Sequence, residues 1–106
     1  MEQAYKIAML QQLAELDEEL TEIHQILIQE GYANRIIYRA IERNLQLLVE
    51  ACIGLDKSQI PWNKVIGMCN ALVHDYLNLD RNRVLEIITQ RHYASLLDFA
   101  RALLKN

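Results

Sequence analysis

The segment from Cys69 to Tyr76 concentrates side chains that could do chemistry. It reads Cys-Asn-Ala-Leu-Val-His-Asp-Tyr. A histidine titrates near neutral pH and is the usual group for taking a proton from a hydroxyl, such as a ribose 2′-hydroxyl. Residues four apart share a helix face, so Asn70 lies beside His74 and can orient it, whereas Asp75 lies about 100 degrees further round. The spacing therefore favours His74 as a general base with Asn70 as its partner.

The same side chains also have a structural interpretation. Taken alone, His74 on a bundle helix is more often a partly buried, hydrogen-bonded residue than a catalytic one. Tyr38, Trp62 and Tyr93 could stack on bases, but aromatic residues at helical spacing usually pack in a core or a dimer interface. The residues must therefore be considered with the helices that carry them.

Periodicity predicts four helices. With one proline, three glycines and almost no strand-type alternation, the chain favours an all-α fold. The first helix ends at Gly31 and carries an apolar seam of Met9, Leu13, Leu16, Leu20, Ile23 and Leu27. The second is predicted from about Ala33 to Leu55, with Ile37, Ile41, Leu45, Leu48, Cys52 and Leu55 on one face.

The motif lies on the third predicted helix. Pro61 suits its first position, where the missing backbone N–H costs nothing, and the helix ends near Tyr76. Asn78 or Asp80 can cap a fourth helix, whose apolar residues are Val84, Ile87, Ile88, Leu96, Phe99, Ala100 and Leu103. Short connections then predict an antiparallel up-and-down four-helix bundle, with residues 1–106 as a single domain.

Composition bears on the location of the protein, the state of its cysteines and its capacity to bind a metal. No apolar run is long enough to cross a bilayer and the N-terminus has no signal-peptide pattern, so we expect a cytoplasmic protein with no membrane partner. Cys52 and Cys69 lie in apolar helical contexts and are predicted to be free thiols. His24 and His92 lie on different predicted helices without a thiol or carboxylate at ligand spacing, so no metal or cofactor is expected.

Charge is unevenly distributed along the chain. Residues 1–30 hold seven acidic side chains and one lysine, a net charge of minus six. The whole chain has a net charge of minus three, so the residues after position 30 have a net charge of plus three. A nucleic acid would therefore meet the later helices. Arg35, Arg39 and Arg43 form a basic stripe on helix two that could track an RNA backbone; the alternatives are a solvated face or pairing with acidic helix one.

The motif segment resembles the signature of the HepT-like toxins of the HEPN superfamily, in which an arginine is followed by four residues and then His-x-Tyr. The run from Val73 to Tyr76 matches the most characteristic tetrapeptide of that family letter for letter. Asn44 and the following Leu-Gln-Leu-Leu-Val-Glu-Ala-Cys-Ile also resemble the second helix of the family. The order and approximate lengths of the predicted helices match over nearly the whole chain.

The resemblance implies a metal-independent endoribonuclease toxin. HepT-like toxins are homodimers in which the motif helices of two subunits approach and form a cleft for an RNA substrate. By that likeness His74 assists attack of the 2′-hydroxyl on the adjacent phosphate, and Asn70 holds or polarises the site. Tyr76 matches the tyrosine to which a minimal nucleotidyltransferase antitoxin transfers AMP, which blocks RNA.

Cys69 stands where the family motif has its arginine. A neutral thiol supplies neither the permanent charge nor the planar fork that matches phosphate oxygens, and losing such an arginine costs on the order of a thousandfold in rate. The substitution is either a detoxifying change or the mark of a degenerate member retained for binding. A redox or metal role is less favoured, because Cys69 and His74 point about 140 degrees apart on a helix.

Two functions therefore remain. The first is the ribonuclease toxin with activity impaired by Cys69. The second is a non-catalytic dimeric helical partner, or a substrate-presenting subunit, of a minimal nucleotidyltransferase. Family members usually carry another helical segment where this chain has only Asp56 to Pro61, so part of the RNA-binding or dimer surface could be missing.

Overall fold

Helices are the regular secondary structure of the described residues. A computed structural model describes the backbone of residues 2–55, 60–76 and 81–105, and the side chains of residues 3–55, 60–73 and 81–105. Its helices are α1 (Glu2–Glu30), α2 (Arg35–Ile53), α3 (Trp62–Tyr76), α4 (Arg81–Thr89) and α5 (Tyr93–Lys105). These ranges contain no strand, which confirms the all-α class. None of the helices they contain is long and apolar enough to span a membrane.

Helix α1 packs against α2, α4 and α5, while α2 also contacts α3 and α5, and α3 contacts α4. The predicted seam of α1 is confirmed, since five of its residues are buried and Met9 is partly buried against the core. Gly31 ends the helix as predicted, with a φ of 79° and its N–H donating to the Leu27 carbonyl at 2.9 Å. The core includes the fully buried side chains of Leu13, Leu16, Leu20, Ile41, Leu45, Leu48, Val65, Val84, Ile88, Tyr93, Leu96 and Leu97.

An ion pair ties α5 to α1. Arg101 Nη2 lies 2.8 Å from the Asp17 carboxylate and 3.5 Å from the Leu13 carbonyl oxygen. Both charged side chains keep about a third of their surface exposed, at 28% and 38%, so the pair contributes about 1 kcal/mol at most. The apolar seam is therefore the main source of stability between these helices.

The predicted fourth helix is two helices, so the four-helix bundle is not confirmed. At about 100 degrees per residue, Val84 and Ile88 of a continuous helix would point about 120 degrees away from Leu96 and Ala100. Both sets are buried, and the break between the two helices lets each set face the core. Phe99, predicted on the core face, is 45% exposed for the same reason. Leu97 and Leu104 are buried on that helix instead.

The break is a Schellman turn. The His92 N–H donates to the Ile87 carbonyl at 3.0 Å, and the Arg91 N–H donates to the Ile88 carbonyl at 3.1 Å. Arg91 takes the left-handed conformation that such a turn requires, with a φ of 56°. Glycine usually occupies this position, and an L-residue there costs about 1 kcal/mol.

Two further boundaries differ from the sequence prediction. Pro61 precedes α3 instead of occupying its first position, and its carbonyl accepts from the N–H groups of Lys64 at 2.9 Å and Val65 at 3.4 Å. Helix α2 begins at Arg35, after an N-cap at Asn34 whose side-chain oxygen accepts from the Ile37 N–H at 2.9 Å. The predicted caps at positions 78 and 80, and residues 56–59 of the short connection, lie outside the described residues.

The cap at Asn34 generates a stability prediction. Replacing Asn34 with alanine removes the acceptor for the Ile37 N–H, so the free energy of unfolding should fall by about 1 kcal/mol in urea denaturation. Asn34→Asp keeps an acceptor at the cap and serves as the control, with stability close to that of the unchanged protein. Equal losses in the two variants would show that the cap is not the cause.

Candidate functional site

Helix α3 carries all the positions of the motif. Its residues Cys69 and Asn70 have described side chains, whereas His74, Asp75 and Tyr76 are described only as part of the helix. The core side of α3 is formed by Val65, Met68 and Ala71, which are at most 5% exposed. Their spacing of three residues fixes the rotation of the helix about its axis. This rotation decides which motif positions face the protein and which face solvent.

Cys69 and Asn70 lie in different environments although they are adjacent in sequence. Cys69 is half-buried and packs against the hydrophobic core. Asn70 is exposed, and the apolar residues one turn to either side, Ile66 and Val73, are 46% and 55% exposed. A polar amide thus lies between two apolar side chains on the outer face of α3.

The half-buried Cys69 lies close to a second thiol across the α2–α3 contact. Cys52 of α2 is fully buried, and both cysteines are free. Burial first, and the neighbouring Cys69 second, raise the pKa of the Cys52 thiol from 9.0 to about 11. The predicted free thiols are therefore confirmed, and Cys52 is held in its neutral form at physiological pH.

Asn44 is the buried polar residue of α2. Its side-chain nitrogen donates to the Ala40 carbonyl at 2.8 Å, and its carbonyl oxygen has no partner among the described residues. Asn44 lies eight residues before Cys52 on the same helix, so α2 places a buried polar side chain two turns from the buried thiol.

A second group of polar residues lines a cavity between α3 and the turn that joins α4 to α5. The cavity has a volume of about 420 Å³. Its cationic lining comes from Lys64, Arg83 and Arg91, with His92 beside them, and among the residues with described side chains Glu86 is the carboxylate that lines it. The rest of the lining is small or apolar and comprises Gly67, Met68, Ala71, Ile87, Ser95 and Leu96.

The aromatic residues proposed for base stacking are packed into the protein. Tyr93 is fully buried and Tyr38 is 6% exposed, with the Arg81 guanidinium 3.8 Å above the centre of its ring. Trp62 is partly buried against the core. These rings serve packing, which was the alternative interpretation of their spacing.

The arginine stripe of α2 lies on the surface. Arg35, Arg39 and Arg43 are all exposed, and Arg39 pairs with Glu42 of the same helix at 3.6 Å. The described ion pair to acidic α1 comes from Arg101 of α5 and not from this stripe. An RNA-binding role for the stripe stays a prediction.

Comparison with known protein families assigns the chain. The family model described as Ribonuclease HepT-like matches residues 9–103, which is nearly the whole sequence. The chain belongs to the HepT-like ribonuclease family. No solved structure matches it.

Sequence reasoning missed two features of this HepT-like chain. The cavity gathers residues from three helices, and the bend at Arg91 that brings Lys64 and His92 to one site was not anticipated. The run of four polar residues from Thr89 to His92 was the available signal, because it interrupts the apolar period. Asn44 was noted only for its resemblance to the family, and its position among apolar neighbours was the signal for a buried polar group.

The two cysteines generate a labelling prediction. At pH 8 a thiol of pKa 11 is about one part in a thousand thiolate, and Cys52 is also fully buried. Iodoacetamide should therefore modify Cys69 at least about tenfold faster than Cys52 in the folded protein, as measured by mass spectrometry of peptides. Equal native rates would contradict the prediction, and similar rates after denaturation provide the control.

Proposed function

We propose that this HepT-like chain is a metal-independent endoribonuclease toxin of a toxin–antitoxin pair, with activity impaired by Cys69. Membership of the HepT-like ribonuclease family supports an RNase-type enzyme in general. The observation that carries the proposal is α3, one continuous helix that includes positions 69, 70, 74 and 76 of the motif. In a continuous helix, the spacing of the motif residues in sequence determines which of them share a face.

The proposed reaction is an internal transfer at phosphorus. His74 takes the proton of a ribose 2′-hydroxyl, the 2′-oxygen bonds to the adjacent phosphorus, and the bond from phosphorus to the 5′-oxygen breaks. The 5′-oxygen takes a proton from water, and the protonated His74 returns its proton to water, so no net proton is gained or lost. The products are a 2′,3′-cyclic phosphate and a 5′-hydroxyl, and the exposed Asn70, one turn before His74, holds or polarises the site.

Cys69 weakens the proposed reaction at the charged transition state. An arginine would bring a permanent positive charge to the phosphate, whereas a half-buried thiol packed against the core brings none. Cys69 itself contributes no chemistry in this proposal. The chain keeps its remaining motif residues Asn70, His74 and Tyr76, so the defect is confined to one side chain.

The proposal includes a homodimer formed through α3. Ile66 and Val73 are exposed apolar residues on the same face as Asn70, and burying them against a second copy would bring two motif helices together. RNA would enter from the side of the later helices, because residues 1–30 carry a net charge of minus six.

The proposed partner is a minimal nucleotidyltransferase antitoxin that transfers AMP to Tyr76. The added phosphate and nucleoside would place bulk and negative charge at the end of α3, where they would repel RNA. Cys69 favours the second candidate function, a non-catalytic dimeric partner or substrate-presenting subunit of such a transferase. Modification of Tyr76 is compatible with both functions, so the discriminating experiment must measure cleavage.

The discriminating change is Cys69→Arg. It should raise cleavage of RNA in the presence of a chelator on the order of a thousandfold, because the guanidinium restores a charged fork for the phosphate. The double variant Cys69→Arg/His74→Ala should lose that activity. The measurement is the initial rate of appearance of products ending in a cyclic phosphate, together with growth arrest on induction.

Matched variants make this result specific. Cys69→Lys supplies the charge without the fork and should recover less activity than Cys69→Arg. Cys69→Arg/His24→Ala removes a half-buried histidine of α1 and should remain active. If the Cys69→Arg variant does not cleave RNA while a nucleotidyltransferase still binds the chain, the non-catalytic function replaces the ribonuclease function.

The proposed dimer gives a separate prediction. Val73→Glu places a charge at the α3 face and should shift the protein from dimer to monomer in light scattering. Ile28→Glu is the control, because Ile28 is 66% exposed on α1, outside that face. A dimer that survives Val73→Glu and Ile66→Glu but dissociates with Ile28→Glu would contradict an interface through α3.

A further inference from the structure

The cavity between α3 and the α4–α5 turn concentrates positive charge in an acidic protein. Among the residues with described side chains, Lys64, Arg83 and Arg91 contribute three permanent cations to the lining and Glu86 contributes one carboxylate, while the whole chain carries a net charge of minus three. His92 adds a further donor. Among the described residues neither Lys64 nor Arg91 forms an ion pair. Such a cluster attracts a phosphate group.

Arg91 occupies its position at a conformational cost. It lies at the left-handed residue of the Schellman turn, with a φ of 56°, where glycine would be unstrained. Its side chain nevertheless lines the cavity. The turn accounts for this conformation, and arginine at this position adds to the cavity a cation that glycine would lack.

Lys64 is oriented towards the same region by the neighbouring helix. Its ammonium donates to the Ser95 hydroxyl at 3.1 Å, and that hydroxyl lies 3.5 Å from the His92 carbonyl oxygen. An ammonium has three N–H donors, so two remain for a ligand. The lysine is therefore held at the cavity without being neutralised.

The remaining lining suits the rest of a nucleotide. Met68, Ala71, Ile87 and Leu96 provide an apolar floor on which a base or ribose can pack, and the volume of about 420 Å³ is in the range of small-ligand sites. Gly67 also lines the cavity, and a Cβ added there would meet nothing within 4 Å. A glycine in the middle of α3 thus leaves this space open.

The cavity adjoins the motif along α3. Ala71 lines it, and His74 follows three residues later, a rise of about 4.5 Å. A ligand in the cavity would therefore lie within one helical turn of the residue proposed to act on RNA.

We infer that this cavity binds one phosphate and its nucleoside in the RNA strand, adjacent to the phosphate that His74 would act on. The inference rests on the proposed function for the identity of the strand as RNA. A free nucleotide has the same chemistry. The position beside the motif favours RNA, and the experiment separates the two.

The probe is a fluorescent 2′-O-methyl RNA octamer, which cannot supply the 2′-hydroxyl and so cannot be cut by the proposed reaction. Binding to the full chain is followed by anisotropy over a range of salt concentrations. Lys64→Gln and Arg91→Gly should each weaken binding and lower the slope of log affinity against log salt by about 1. Lys105→Gln, at the far end of α5, should change the slope by less.

Two variants test whether weaker octamer binding is caused by loss of stability. Arg91→Gly relieves a strained position and Gly67→Leu replaces a mid-helix glycine where there is open space, so both should keep or raise the urea midpoint. Gly67→Leu should fill the cavity and weaken octamer binding without any change in charge. Unchanged binding in stable Gly67→Leu and Arg91→Gly proteins would overturn the inference.

The inference and the proposed function fail in distinguishable ways. If Cys69→Arg cuts RNA and adding Arg91→Gly leaves the rate and KM unchanged, the function stands and the cavity is not a substrate site. If the octamer binds through the cavity while the Cys69→Arg variant does not cleave RNA, the cavity is an RNA-binding site and the proposed ribonuclease function is wrong. Competition by uridine monophosphate as strong as that by the octamer would assign the site to free nucleotides and overturn the RNA assignment.

Discussion

The packing of one face of α3 against α2 and α4 is the constraint on which the candidate site depends. Val65, Met68 and Ala71 are buried on that face, so the helix cannot rotate without exposing them or burying polar neighbours. With the rotation fixed, Asn70 faces outwards and Cys69 is held against the core. The same two core residues, Met68 and Ala71, also form part of the cavity floor. Apolar packing of α3 thus determines both the outward position of Asn70 and the position of the cavity.

That packing also explains how a cysteine is accommodated at the motif position. Buried or half-buried cysteine behaves as a small hydrophobe, and Cys69 packs beside Cys52 in an apolar environment that raises the pKa of the Cys52 thiol. An arginine there would lay its methylene stem along the same surface and carry its charge outwards. The fold therefore does not require arginine at position 69, and only the proposed chemistry calls for it.

Sequence periodicity predicted the features that depend on local rules. The α1 seam, the glycine end at Gly31 and the free thiols follow from spacing and residue type, and the structure confirms them. The helix count was wrong because Val84 and Leu96 were read as one face, although their separation of twelve residues turns them by about 120 degrees. The cavity could not be predicted, because Lys64 lies 19 residues before Arg83 and 27 before Arg91, and the three meet only through the packing of α3 and the bend at Arg91.

The bend at Arg91 shows where the fold and the candidate site make opposing demands. The α4–α5 turn needs a left-handed residue, and stability alone would select glycine there, at a gain of about 1 kcal/mol. A protein of 106 residues has a total stability of about 5–15 kcal/mol, so the cost of arginine is a noticeable fraction. At two other helix ends the residue type suits the local conformation: Gly31 has a positive φ after α1, and Asn34 caps α2. Among the described residues Arg91 is the non-glycine residue with a positive φ, and its side chain lines the cationic cavity, which is the pattern expected where function, and not folding, selects the side chain.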